Sequence, residues 1–205
     1  MSADLDNWVS FANKLTLERG PMRVEEWQKV ILAPYFEGVP ETLIIAPKKS
    51  SKSTMCSIVA LHHLLTTPDA EVLVVAASRE QAALITEQCA GLVRRSGLAS
   101  RIRVLGVGRE LRGLGKFAGR RIKVLPADPR TADGTRASLA IVDELHRHPT
   151  SELYSVLRDG LPAVGGRMIT LSTAGEFENP DADDPHADPL ARLRLAARAL
   201  PLERP

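Results

Sequence analysis

The stretch Thr42–Thr54, TLIIAPKKSSKST, constrains the fold more than any other part of this 205-residue chain. Thr42–Ala46 is an unbroken apolar and β-branched run, the pattern of a strand buried on both faces. Pro47 ends it, the small and basic residues Lys48–Ser51 turn the chain, and Ser53–Thr66 has a helical pattern. Strand, tight loop, Lys-Ser and helix, in that order, make a phosphate-binding loop. Backbone N–H groups from Lys48, Lys49, Ser50 and Ser51 through Lys52, Ser53 and Thr54 would surround the phosphates. The Lys52 ammonium would add a point charge, and the Ser53 hydroxyl would reach Mg²⁺. The match to G-x-x-x-x-G-K-[ST] is incomplete, because glycines are expected where Ala46 and Ser51 stand. Glycine serves there by letting the backbone approach phosphate and adopt positive φ. Serine at 51 is tolerated if its φ is negative; otherwise it crowds the β-phosphate. Alone, KSSKS reads more readily as a basic surface turn, so the downstream sequence decides.

Downstream, apolar strand-length runs alternate with helical patterns. Glu71–Ser78 and Ser138–Asp143 read as buried strands, Arg167–Ser172 as another, and Arg101–Leu105 and Arg121–Leu125 as shorter ones. Arg79–Ser96 and Ser151–Asp159 read as helices, the first capped by Gly97. Upstream, Asp6–Glu18 is expected to be a helix with Trp8, Phe11 and Leu15 on one side, stopped by Gly20-Pro21. A second helix is expected from about Val24 to Phe36, bending or ending near Pro34. Gly106–Gly119 and Pro126–Ala137 read as connecting segments, Glu176–Pro189 as an acidic loop and Leu190–Leu200 as a last helix. This alternation predicts an α/β fold with a mostly parallel sheet covered by helices on both faces.

The length suits one α/β domain with a full core. Aromatic residues are 4% of the chain, so that core should be aliphatic and alanine-rich. Cys56 and Cys89 fall in predicted helices and form no metal-like spacing, which favours reduced, buried thiols and a cytoplasmic setting. No apolar run is long enough for a membrane span and no secretory leader pattern opens the chain. Charge is uneven although the net is only +2. Residues 94–136 carry twelve Lys or Arg against Glu110, Asp128 and Asp133, while residues 176–189 carry six acids and no Lys or Arg. A basic block of that density points to a polyanion, either nucleic acid or a neighbour's nucleotide, or else to an ordinary solvated surface.

In parallel α/β sheets, ligands gather beyond the carboxyl ends of the strands. Three predicted strands end there in polar groups: Lys52-Ser53 follows the first, Asp143-Glu144 the third and Ser172-Thr173 the fourth. An apolar strand ending in Asp is the Walker B arrangement, whose carboxylate holds Mg²⁺; an adjacent Glu can polarise water for in-line attack on a γ-phosphate. LAIVDELH alone also reads as a strand followed by an acidic helix start. Paired with the Lys-Ser loop upstream, it reads as a nucleotide hydrolase. Trp27-Gln28 is either an adenine reader or a packed Trp beside a surface Gln. His146 and His148 lack further ligands at usable spacing and do not read as a metal site.

The order and wording of these segments resemble the ATPase domain of tailed-bacteriophage terminase large subunits, over about Val24–Leu200. Pro47–Ser53 stands where that family often has P-R-K-N-G-K-S, and Trp27-Gln28 matches its upstream adenine-reading element. Val74–Ala82 resembles the segment of its second strand, and Ala137–His146 the Walker B stretch with catalytic Glu144. Thr170–Gly175 is similar to its coupling motif, and Asp188–Leu200 to the helix that follows. The resemblance implies an ASCE/RecA-like P-loop NTPase that hydrolyses ATP with Mg²⁺ to drive double-stranded DNA into a procapsid. It also implies a homo-oligomeric ring at a portal, a small-subunit partner, a host-cytoplasmic setting and no membrane association. In site terms it implies Lys52 on the phosphates, Ser53 and Asp143 on Mg²⁺, Glu144 on the attacking water and Thr173 as the coupling residue. An arginine inserted from a neighbour is expected, with Arg136 first and Arg130 and Arg112 as the other candidates. The implied layout is an N-terminal helical extension (1–22), a nucleotide-binding core (23–175), then an acidic loop and C-terminal helix (176–205). The chain stops before the nuclease domain of that family would begin. Two other readings stay open: a non-catalytic remnant that binds DNA or a packaging partner, suggested by Ser51, and a helicase-like ATPase, suggested by the DELH wording.

Overall fold

A computed structural model describes residues 2–106, 110–125, 137–145, 152–161 and 165–173. Its core is a seven-stranded sheet. In chain order the strands are β3 (Glu41–Ile45), β4 (Glu71–Val75), β5 (Ile102–Leu105), β6 (Glu110–Gly113), β7 (Arg121–Val124), β8 (Leu139–Val142) and β9 (Arg167–Ser172). Their spatial order is β3-β9-β8-β4-β7-β6-β5. The five strands from β3 to β7 are parallel to their neighbours, and β6 and β5 extend the sheet antiparallel. The last two strands in sequence, β8 and β9, thus insert between β3 and β4. That insertion sets the end of β8 beside the loop that follows β3.

Alternation along each strand sorts side chains into two cores. On one face Ile44, Val72, Val74, Ile102, Leu111, Ile122, Leu139, Ile141, Ile169 and Leu171 pack under four helices. These are α1 (Ala3–Ala12), α2 (Glu26–Phe36), α3 (Lys52–Thr66) and α4 (Arg79–Arg95). On the other face Leu73, Val75, Ala140, Val142 and Met168 meet Leu153, Tyr154 and Leu157 of α5 (Glu152–Gly160). The run of β4 lacks polar alternation because helices cover the sheet there on both sides. Strand β3 corrects the expectation of a strand buried on both faces: it is an edge strand that buries Thr42 and Ile44 on one face and leaves Leu43 and Ile45 half-buried on the other. Helix α3 is buried over nearly its whole length, and Cys56 and Cys89 are both buried free thiols where it packs against α4.

Two further expectations need correcting. Helix α1 ends at Ala12 rather than near residue 18. Asn13 caps it and accepts the Val24 N–H on Oδ1, and Thr16–Leu17 (β1) then pairs antiparallel with Gly20–Pro21 (β2). Glu18 and Arg19 turn that hairpin, and Gly20 opens its returning strand with φ 127°, a conformation side chains oppose, so its role is to start β2 and not only to break a helix. The glycine-rich connection 106–119 also contains β6, whose Gly113 is obligatory: a Cβ there would lie 2.1 Å from the Phe117 carbonyl oxygen. Arg167–Ser172 is a strand with the expected bounds, and Pro34 lies inside α2 without ending it. The expected acidic loop and last helix lie outside the described residues.

Candidate active site at the carboxyl end of the sheet

The loop between β3 and α3 is closed by its own lysine. The Lys52 ammonium donates to the carbonyls of Ala46 at 2.6 Å and Pro47 at 2.8 Å, so the side chain spans the loop it belongs to. Lys52 is buried, while Lys48, Lys49 and Ser51 are exposed. Ser51 is the N-cap of α3 but makes no side-chain cap, and the first turn contains no acidic residue. The amides of the first turn therefore meet the solvent side of the loop with neither a capping hydroxyl nor a carboxylate, which suits an anion.

Ser51 has φ 63° and ψ 21°, and Lys49 has φ 64°. The condition under which serine would be tolerated without strain, negative φ, is not met. Position 51 has the left-handed backbone that the usual glycine supplies, and a non-glycine residue there costs about 1 kcal/mol or more. Ser51→Gly should therefore stabilise the chain by roughly 0.5–1 kcal/mol once glycine's extra unfolded-state entropy is subtracted. It should also tighten nucleotide binding. Thermal denaturation with and without Mg-ATP checks this, and a lower melting temperature would show that the serine side chain contributes a favourable contact.

Asp143 follows β8, and its N–H continues the ladder to the Val75 carbonyl at 2.7 Å. Its parity with Ile141 turns the side chain to the α3 face of the sheet. Burial pushes its carboxyl up to about 6, and the neighbouring Glu144 carboxylate adds to this. The Glu144 N–H, which donates to Asp143 Oδ1 at 3.0 Å, and the nearby Lys52 ammonium pull it back. Glu144 itself has φ 52°. Three of the four left-handed non-glycine residues among those described (Lys49, Ser51 and Glu144) thus lie in the two loops of this site. Strain of that kind persists where the surroundings hold it, and it concentrates at functional sites.

Thr173 follows β9 with the same parity as Ile169 and Leu171, which also faces it toward α3. It is buried, and its hydroxyl has no hydrogen-bond partner among the described residues. Thr42 and Thr170 have the same property within their strands, so the hydroxyl's state alone is not distinctive. Ser50 Oγ in the loop is likewise buried without a partner, next to the lysine clamp.

Lys52, Asp143 and Glu144 therefore come together with the loop, and Thr173 follows the adjoining strand end. Trp27 and Gln28 lie in the first turn of α2. Gln28 is buried, and its Oε1 accepts the Glu25 N–H in a capping box, so the amide keeps only its donor end for a ligand. The Trp27 indole N–H donates to the Glu25 carboxylate, and about a third of the residue is exposed. Arg112 lies on β6, five strands from β3, paired with Glu110 at 2.8 Å. Arg130, Arg136, His146 and His148 lie outside the described residues.

Sequence reading missed a groove of about 580 Å³ that adjoins the loop. Ser51 and Thr54 form one end, Leu84, Gln88 and Leu92 of α4 form the floor, and Arg19 of the β1–β2 hairpin lines it too. Its walls come from three separate segments, so no local pattern could have announced it.

The ATPase-domain profile of terminase large subunits matches residues 26–186. The chain belongs to that family. Solved structures agree on the fold. The large terminase of bacteriophage HK97 superposes with a TM-score of 0.70 at 20% identity, over 84% of this chain and 38% of that one. The large terminase ATPase domain of a Thermus phage gives 0.57 at 19% identity, over 83% of this chain and 69% of that one. The UvsW helicase of bacteriophage T4 gives 0.54 at 15% identity, over 82% and 58%, which shows that the sheet is shared with helicases. A search of curated proteins gave no significant match. Among the described residues, no helix of this terminase domain is long and apolar enough to cross a membrane.

Proposed function

We propose that this domain hydrolyses ATP to move double-stranded viral DNA, as the ATPase part of a packaging motor. The observation that carries the reading is the meeting of the Lys52 clamp, after β3, with buried Asp143 and half-buried Glu144, after β8, across the end of the intervening β9. Family membership supports it, as does a solved large terminase of a thermophilic phage in complex with ADP, whose fold this chain shares at a TM-score of 0.51 and 10% identity.

In this reading the loop amides from Lys48 to Thr54 hold the phosphates, and Lys52 neutralises charge between the β- and γ-positions. Asp143 fits a divalent cation: it is a buried carboxylate with a raised affinity for protons, next to a second carboxylate. With the Ser53 hydroxyl it would hold Mg²⁺, which neutralises charge developing on the phosphate oxygens. Glu144 orients and deprotonates the attacking water; its left-handed backbone fixes where the carboxylate starts. Thr173 would register the loss of the γ-phosphate. Trp27 packs against the base, and the Gln28 amide donates to a ring nitrogen. Arg136 is the proposed arginine supplied to a neighbour's site in a homo-oligomeric ring, at a portal and with a small subunit.

Calorimetric titration of Mg-ATP into the chain, with Lys52→Ala alongside, tests the reading. Micromolar to millimolar binding that Lys52→Ala abolishes is expected. No binding at millimolar nucleotide would sink it and favour a non-catalytic remnant, the second reading, which the strained Ser51 motivates.

A further inference from the structure

The antiparallel extension of the sheet puts like charges opposite one another. Arg103 of β5 pairs in register with Arg112 of β6, and Arg112 with Arg121 of β7. Their parity is opposite to that of Ile102, Leu111 and Ile122, which enter the core under α4. All three arginines therefore stand on the other face of the sheet, in one row across the strands. Adjacent Cα atoms in such a row are about 4.5–5.5 Å apart. Like charges placed directly opposite destabilise a sheet.

The row is only partly compensated. Arg112 is held by Glu110 at 2.8 Å, and Arg121 by Glu71 at 2.9 Å. Glu71 is shared, because Lys123 also reaches it at 2.7 Å. Four cations (Arg103, Arg112, Arg121 and Lys123) thus face two carboxylates on this part of the sheet. Arg103 is exposed, and the Arg112 and Arg121 side chains are 57% and 41% exposed. Helix α5 packs over β4, β8 and β9 on the same face, so the apolar contacts that cover the sheet centre do not account for the arginines.

We infer that the Arg103–Arg112–Arg121 row is a binding surface for the phosphate backbone of double-stranded DNA. Duplex DNA carries one charge per about 1.7 Å of axis, a density that a row of closely spaced guanidinium groups complements. Guanidinium groups also suit phosphate because they present planar, paired donors. The row starts at the amino ends of β7 and β4, remote from the carboxyl-end loops, so DNA there leaves the nucleotide site open. The inference rests on the DNA-handling part of the reading above and not on hydrolysis.

The test is fluorescence anisotropy of a short labelled DNA duplex titrated with Arg103→Gln/Arg112→Gln at several salt concentrations. Arg19→Gln/Arg94→Gln, an equal charge loss on the hairpin and α4 side, is the control. Loss of two phosphate contacts should lower affinity on the order of 50-fold at 0.1 M salt and flatten the log–log salt slope by about 1.8. The melting temperature should hold or rise, because the substitution relieves like-charge opposition. Equal binding by variant and wild type, or an equal loss in the control, overturns the proposal. So does a lower melting temperature in the row variant, which marks the row as structural. Salt-sensitive self-association that disappears in the row variant, with duplex binding unchanged, assigns the row to a neighbouring copy and also overturns it. If Mg-ATP binds but wild type does not bind duplex, this surface fails while the nucleotide reading stands.

Discussion

Glu144→Gln should lower single-turnover ATP hydrolysis by about 10²- to 10⁴-fold, the usual span for losing a positioned general base. Nucleotide affinity should change by no more than a few fold, because in the proposed site the loop and Lys52, not Glu144, hold the phosphates. The substitution is close to isosteric and leaves the Glu144 N–H that donates to Asp143 Oδ1. It also removes one of the two causes that push the Asp143 carboxyl up, so Asp143 should ionise more readily in the variant. Rapid-quench measurement of phosphate release, beside calorimetric Mg-ATP binding, separates the two effects. A proportionate loss of binding and hydrolysis would mean that Glu144 acts on the loop and not on water. Unchanged hydrolysis would move the base elsewhere.

The parts of the candidate site legible from sequence were those in which consecutive residues carry the proposed chemistry. Lys52-Ser53 and Asp143-Glu144 each follow an apolar run, and buried parallel strands deliver their carboxyl ends to one edge. What the chain order could not supply was adjacency between strands. That β9 lies between β3 and β8 depends on pairing across more than a hundred residues, which no local pattern encodes. The same holds for the groove by the loop. Backbone sign was open as well: serine at 51 is compatible with either sign of φ, and the loop closure imposes the left-handed one.

The hairpin β1–β2 was missed for a different reason. Trp8, Leu15 and neighbouring apolar residues fit a helical period, but Leu15 is buried from a turn rather than from a helix. The spacing held for the helix as far as Ala12, and the conformation beyond it was wrong. Strand β6 was hidden because ELRG holds two charges and a glycine, and only Leu111 faces the core. Its charged face is the one that carries the arginine row. The feature that concealed the strand is thus the one that gives it a distinctive surface.

Acid should unfold the nucleotide-free chain early, and the buried histidines set where. Burial depresses His62 to about 4 and His63 to about 3, with Arg167 and His62 adding to the shift at His63. His63 is pinned as a neutral ring between Tyr35 Oη at 2.9 Å and Ser138 Oγ at 2.8 Å. His62 packs against Phe11 and Phe36. Both folded values lie below the unfolded 6.5, so the unfolded chain binds more protons and stability falls as pH drops below 6.5. Asp143 opposes this. Its folded value, about 6, exceeds the unfolded 3.8, so stability is regained on that account as pH falls through 6. Two histidines against one carboxyl leave a net loss of about 3 kcal/mol between neutral pH and about pH 4.5. Asp143→Asn removes the opposing contribution. It should stabilise the apo chain at neutral pH by up to about 3 kcal/mol, steepen the acid loss toward two protons, and abolish stabilisation by Mg-ATP. Urea denaturation across that pH range, with and without Mg-ATP, reads all three. An Asp143→Asn chain no more stable than wild type at pH 7 would show that Asp143 is not desolvated in the apo state. Stability that does not fall toward pH 4.5 would show that the histidines titrate normally.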